Sequence, residues 1–152
     1  MSTTIHDRTW VIAQSLLMLA VVGLGVANRG AWQSEAGFVV GATLFAVGAV
    51  VGVSGVRSLG PSRTPNPTPK ADAELVQQGI YRWLRHPLYS SVMLASLGWA
   101  LLWQSVAALA ASLVLCVFFD SKARLEERLL LARFPGYAAY RMRAWRFVPW
   151  VY

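Results

Sequence analysis

Three apolar stretches, Trp10 to Ala27, Ala36 to Val56 and Leu88 to Phe119, leave this chain few architectures. Inside a bilayer each backbone N–H and C=O must find its partner within the protein, and a helix of about 20 apolar residues does so while crossing the hydrocarbon. The first two stretches have that length. The third, 32 residues, is too long for one span and too short for two full perpendicular ones, and carries Gln104 and Ser105 near its middle. It reads as a helical hairpin of two short spans, the second running on into the polar segment after Asp120. The expectation is an all-α, polytopic membrane protein of about four transmembrane helices, the last two a hairpin, with a cytoplasmic C-terminal amphipathic segment. One domain is expected, divided into a two-helix part (1–56), a cytoplasmic loop (57–86) and the hairpin with the C-terminal part (87–152).

Composition agrees: 56% of residues are hydrophobic, 14% are charged and the mean hydropathy is +0.46, too apolar for a soluble domain of this size. A net charge of +7 would suit nucleic acid, but the basic residues lie in blocks beside apolar runs, which suits anionic lipid headgroups instead. Thirteen of the fourteen basic residues fall before the first stretch, between the second and third, or after Phe119; Arg29 alone falls elsewhere. The positive-inside rule then puts both termini and the long loop, Arg63 included, in the cytoplasm. Trp32, Trp99 and Trp103 fall at the outer interface, and Trp10, Trp83, Trp145 and Trp150 at the inner one. Cys116, the single cysteine, sits in an apolar run and reads as packing. The first apolar run has no small-residue cleavage site and reads as a retained span.

In the second stretch Gly37, Gly41, Gly48 and Gly52 recur on one helical face, a seam where another backbone can approach. The partner is the first helix or a second copy of the chain, so a homodimer through this face is one expectation. GLGVANRG superficially matches a dinucleotide loop, but it ends a membrane helix with no strand before it. Four prolines between Pro61 and Pro69 predict extended polyproline structure, and Asp72 to Gln78 a short amphipathic turn ended by Gly79.

The least replaceable chemistry lies in GIYRWLRHPLY, Gly79 to Tyr89. Pro87 lacks an N–H and has a φ already suited to a helix, so it reads as the first helical residue, with His86 at the helix mouth. Unpaired first-turn N–H groups and the helix dipole make that mouth a site for a carboxylate or phosphate. Tyr89 lies over the same turn. After the last span, Lys122 to Arg133 has helical spacing and carries Glu126 and Glu127 at the depth of His86 and Tyr89. Adjacent helical positions point about 100° apart, so at most one of the two acids faces a pocket squarely. Pro135 and Gly136 end that helix. The tail beyond mixes Tyr137, Tyr140, Trp145, Phe147 and Trp150 with Arg141, Arg143 and Arg146, as a short helix in the headgroup layer would.

LVQQGIYRWLRHPLY, a hairpin, then EERLLLARFPGYAAYRMRAWRFVP resembles the isoprenylcysteine carboxyl methyltransferase family and related membrane methyltransferases, including phospholipid methyltransferases, over Leu75 to Pro149. The resemblance implies an S-adenosylmethionine-dependent methyltransferase, needing no metal, whose cofactor sits at the cytoplasmic end of the bundle. By motif it assigns the cofactor to Gln78, Gly79, Ile80, Tyr81, His86, Pro87, Leu88, Tyr89 and Glu126 or Glu127. A glutamate suits the cofactor's ammonium or ribose diol, and Tyr81, Trp83 or Tyr89 suits its adenine or sulfonium. In the prenylcysteine enzymes an arginine four residues before the glutamate is expected to hold the substrate carboxylate. Here that position is Lys122, with Arg124 two away, and a lysine lacks the bidentate fork. The implied acceptor is therefore a lipophilic or membrane-associated molecule, with a small thiol or amine as the alternative. Two other readings compete: a non-catalytic membrane subunit or lipid-binding module, and a membrane reductase that would bind NADPH.

Overall fold

A computed structural model describes residues 2–62, 64–70 and 72–151, with side chains from Asp7 onward. Arg63, counted above among the basic loop residues, lies outside the described set. Five α-helices follow in order: α1 Ser2–Ala27, α2 Glu35–Leu59, α3 Pro87–Leu102, α4 Val106–Arg133 and α5 Tyr137–Arg141. Short 3-10 turns stand at Gly60–Ser62 and Gly79–Arg82.

Each boundary has a local cause. The Ser34 hydroxyl accepts from the Gly37 N–H at the start of α2, and the Ser105 hydroxyl accepts from the Ala108 N–H at the start of α4. These caps satisfy donors that the first helical turn leaves open. At its far end α2 stops on Gly60, with φ +51, and α4 stops two residues before Pro135. Pro87 is the first residue of α3, and His86 occupies the N-cap position.

Among the described residues three helices are long and apolar enough to cross a membrane, Asp7–Ala27, Glu35–Ser62 and Val106–Arg133, with mean hydropathies of 2.1, 2.2 and 1.8. Their outward faces carry Leu16, Leu19, Val39, Val50 and Val117, all more than 60% exposed within the protein, a surface that lipid covers. The chain is an integral membrane protein. With 16 residues, α3 is about 24 Å long, shorter than the hydrocarbon layer. Gly30 and Ala31, after α1, donate backbone hydrogen bonds to Trp103 and Gln104 after α3, fixing the two turns at that end of the bundle.

The glycine seam meets neither of its expected partners, because α3 of the same chain fills it. A Cβ on Gly41 would come within 2.9 Å of the Gly98 carbonyl, one on Gly48 within 2.9 Å of the Ser91 carbonyl, and one on Gly98 within 2.7 Å of the Gly41 carbonyl. Backbones this close exclude any side chain, and they leave a second copy no surface here. Gly37 lies beyond this contact, beside Ser34 and Trp32. Helix α4 packs against α1 and α3 around Val21, Leu115 and Phe119.

Two further expectations are corrected. Residues 73–77 form no regular turn, and Gly79, with φ +59, begins a 3-10 turn instead of ending a helix. The C-terminal tail also packs back onto the protein, a contact the sequence did not announce. Arg85 and His86 donate backbone hydrogen bonds to the Trp145 and Arg146 carbonyls, and the Tyr140 hydroxyl donates to the Tyr81 carbonyl. Tyr137, Tyr140 and Phe147 are buried; Met142, Trp150 and Val151 remain outward. The tail is a structural wall of the segment from Tyr81 to Pro87.

Candidate active site

His86 is held between two acids contributed by α4. Its Nδ1 stands 3.3 Å from Glu126 Oε2, and its Nε2 stands 3.3 Å from Glu127 Oε1. The fold produces this because the N-cap of α3 lies against α4 just past Asp120, and residues 126 and 127 straddle the ring from adjacent positions. The Tyr89 ring stacks on His86 with centroids 5.3 Å apart and planes 2° from parallel, and its hydroxyl donates to Glu126 Oε1 at 2.7 Å. Burial pushes the His86 pKa down, but hydrogen bonds to Glu126 and Glu127, and then their charges, outweigh it and hold the pKa above its ordinary value.

The two acids then part company. Glu126 lines a half-open cavity of about 140 Å³, walled by Tyr81, His86, Leu88, Tyr89, Leu130, Phe134, Tyr137 and Tyr140, by Leu59 at the end of α2, and by Ser62, Thr64 and Asn66 from the 61–78 strap. Glu127 turns away from it into a cage of arginines. Arg146 donates from Nε and Nη2 to both carboxylate oxygens, at 3.1 and 3.0 Å; Arg85 Nε lies 3.2 Å off and Arg141 Nε 3.6 Å off. Arg146 also donates to Asp120 at 3.1 Å. Burial, then the neighbouring Tyr140 hydroxyl and the Glu126 carboxylate, push the Tyr81 hydroxyl pKa well up, and burial dominates at Tyr137 and Tyr140 as well. All three are neutral aromatic walls, and the Tyr140 hydroxyl donates to the Tyr81 carbonyl. The Tyr137 hydroxyl is buried without a hydrogen-bond partner.

The cavity collects Tyr81, His86, Leu88, Tyr89 and Glu126 from the residues the sequence singled out. The others shape it from outside. Gly79 has no room for a Cβ against Ser58, Gln78 and Ile80 accept the backbone bonds of the 3-10 turn, and Pro87 is buried at the foot of α3. Trp83 is half exposed and stacks on Trp145. Lys122 is fully buried, but its ammonium is committed to Gln14 Oε1 at 2.6 Å and the Pro65 carbonyl at 2.7 Å, tying α1 to the strap; it also stands 5.4 Å from the Tyr89 ring centroid. Arg124 points outward to Asp120, at 2.7 Å. Neither is placed to hold a carboxylate in the cavity. The anion-accepting helix mouth is also weaker than its dipole suggests: the Tyr89 and Ser90 N–H groups donate to the His86 carbonyl, and Pro87 has no N–H to offer.

Sequence reasoning missed Arg85 and Arg146 as the counter-charges of Glu127, and Tyr137 and Tyr140 as cavity walls. The signal was present for two of them: Tyr137 and Tyr140 are three apart on a short helix, hence on one face, just after Pro135 and Gly136.

A bundle of apolar helices with an acid–imidazole–tyrosine cavity at its basic end defines an integral membrane protein with an enzyme-like site. Residues 36–135 match the phospholipid methyltransferase family, about two thirds of the chain. The chain belongs to that family. It is 36% identical over 76 residues to the cobalt-zinc-cadmium resistance protein CzcN of Cupriavidus metallidurans, covering 49% of this chain and 35% of that protein. Its fold is that of the eukaryotic intramembrane Ras methyltransferase ICMT (isoprenylcysteine carboxyl methyltransferase), with a TM-score of 0.66 and 19% identity over 98% of this chain and 51% of that one. The chain thus spans about a third of the curated relative and half of the structural one.

Proposed function

We propose that the chain is an integral-membrane methyltransferase that binds S-adenosylmethionine in the cavity beside Glu126 and serves a lipophilic or membrane-associated acceptor. The observation that carries this reading is the parallel His86–Tyr89 pair, bonded through both side chains to Glu126, in a cavity also lined by Tyr137, whose buried hydroxyl has no hydrogen-bond partner. Such a hydroxyl costs about 1–3 kcal/mol until a ligand's polar atom meets it. The remaining lining suits the same ligand. A carboxylate at Glu126 matches an ammonium, and the Tyr81 and Tyr89 rings match an adenine face or a cationic sulfonium.

The size sets a condition. Sites for ligands of this kind fill roughly 300–1,000 Å³, more than the 140 Å³ present. Binding therefore requires the 61–78 strap to move outward against the bonds from Thr68 to Asp7 and from Lys122 to the Pro65 carbonyl. When bound, S-adenosylmethionine supplies a methyl group activated on sulfur. The protein's part is to hold and orient it and to keep water out. His86, buried behind Tyr89, holds the Glu126 carboxylate in place from Nδ1 at 3.3 Å. In the membrane, α3 pairs with α4 as a fourth crossing, and the positive-inside rule sets both termini and this cavity on the cytoplasmic side.

Equilibrium dialysis of radiolabelled S-adenosylhomocysteine against the purified protein tests the reading. Saturable binding, weakened at least tenfold in His86→Ala with Glu126→Ala, is the expected result. Affinity indifferent to both substitutions, or NADPH bound in its place, would defeat it.

A further inference from the structure

The arginines around Glu127 also face outward. Arg85, Arg124, Arg141 and Arg146 line a second, open groove, with Leu131 and Met142 among its apolar walls; Arg85 borders the cavity as well. Arg85 and Arg146 form the floor, 11% and 9% exposed, against Glu127 and Asp120, and Asp120 also accepts from Arg124 Nε at 2.7 Å. Arg124 and Arg141 stand at 55% and 45% exposure. Arg141 approaches Glu127 only to 3.6 Å, longer than a hydrogen bond. Four guanidinium charges thus meet two carboxylates, leaving the groove with an excess of positive charge. Glu126 cannot correct it, because its carboxylate faces the cavity.

The groove also lies at a particular depth. Asp120 is the first charged residue after the apolar part of α4, and Arg124 follows about 6 Å further along the axis, within the headgroup layer. Met142, 86% exposed, and Leu131, 39% exposed, give it an apolar flank that a soluble anion has no use for.

We propose that this groove binds the phosphate of an anionic phospholipid from the surrounding bilayer, with Arg124 and Arg141 as its principal donors. A guanidinium offers paired N–H groups that match phosphate oxygens, and a basic recess beside a membrane helix collects such headgroups. Site and ligand are independent of the methyl-transfer reading: the lipid is held in the groove and is not consumed.

Native mass spectrometry of the full chain in detergent, titrated with phosphatidylglycerol or phosphatidylcholine, tests this. One phosphatidylglycerol per chain at saturation is expected, with phosphatidylcholine at least tenfold weaker. Arg124→Gln with Arg141→Gln should weaken phosphatidylglycerol about 25-fold, taking each surface arginine at about fivefold. Arg8→Gln with Arg57→Gln, which removes equal charge from exposed positions elsewhere, should change it less than threefold. Helix content by circular dichroism checks that both variants fold; should the double variant not, Arg124→Gln alone carries the test with about a fivefold loss. Equal binding of the two lipids, equal losses in the two double variants, or displacement of the lipid by inorganic phosphate at similar concentration would overturn the proposal.

Discussion

Glu127→Gln separates the two acids most sharply. The substitution keeps size and shape and removes one charge from a carboxylate whose side chain is 4% exposed. In the wild type both oxygens accept from Arg146, and Arg85 and His86 close in on Oε1 at 3.2 and 3.3 Å. A carboxamide can accept on one oxygen only, and its NH2 then opposes a guanidinium, so Arg85 loses its carboxylate and Arg146 keeps only Asp120 as a carboxylate partner. Removing one partner of a buried ion pair costs about 3–5 kcal/mol, because the charge left behind is neither solvated nor paired. For a chain of this size that corresponds to a fall of roughly 10 °C in Tm. Glu126→Gln should behave differently. Glu126 faces a cavity where water can stand in, so the expected fall is less than half as large, while S-adenosylhomocysteine affinity drops at least tenfold. Thermal unfolding in one detergent at one scan rate, beside ligand dialysis, reads both effects. Combining Glu127→Gln with Arg146→Met should recover part of the lost stability, since removing both members of a buried pair costs less than removing one. If Glu127→Gln were no more destabilising than Glu126→Gln, or if the second substitution deepened the loss, the cage would not be the structural element argued here.

Tyr137→Phe removes the unpaired hydroxyl: it should leave the ligand-free protein as stable as wild type, or more so by about 1 kcal/mol, and weaken S-adenosylhomocysteine in dialysis. The pKa of His86 is raised in the folded protein, so the stability gained from its proton is fully present below pH 6.5 and is lost as pH climbs through the higher folded value. Tm measured from pH 6 upward should therefore decline in the wild type and lie flatter in His86→Gln. Gly98→Ala sets a methyl 2.6 Å from the Phe45 N and 2.7 Å from the Gly41 carbonyl; forcing α2 and α3 apart should cost about 1–3 kcal/mol, read by thermal unfolding. Lys122→Met unties the Pro65 carbonyl from α4, and limited proteolysis should cut the strap at least several-fold faster while α1 to α4 stay intact.

Residue chemistry that acts locally was readable before any fold was known. Pro87 can only begin a helix, so the place of His86 at its mouth followed from one bond's stereochemistry. Two adjacent helical acids must diverge by about 100°, and the structure shows what divergence means here: Glu126 to the cavity, Glu127 to the arginines. What stayed hidden depends on which helices touch. The glycine face of α2 announced a close partner but not its identity, because close approach needs only small residues on one side and any backbone on the other. Here that backbone is α3, whose Gly98 is the complementary notch.

Lys122 shows why position alone transfers poorly between relatives. Counting back one helical turn from Glu126 gives the right face of α4, yet the ammonium is drawn past the cavity to Gln14 and Pro65, polar partners that α1 and the strap supply. A flexible four-carbon stem lets the charge settle wherever buried oxygens are found. An arginine there, with a planar fork, would be harder to satisfy on two such dissimilar oxygens and freer to turn toward a ligand carboxylate. The tail makes the same point from the other side. Its aromatic and basic mixture reads as a membrane-surface segment, since nothing in it says that the Trp145 and Arg146 carbonyls will pair with Arg85 and His86. That pairing is what brings Arg146 within reach of Glu127, and a cavity with one acid facing in and one held back follows from it.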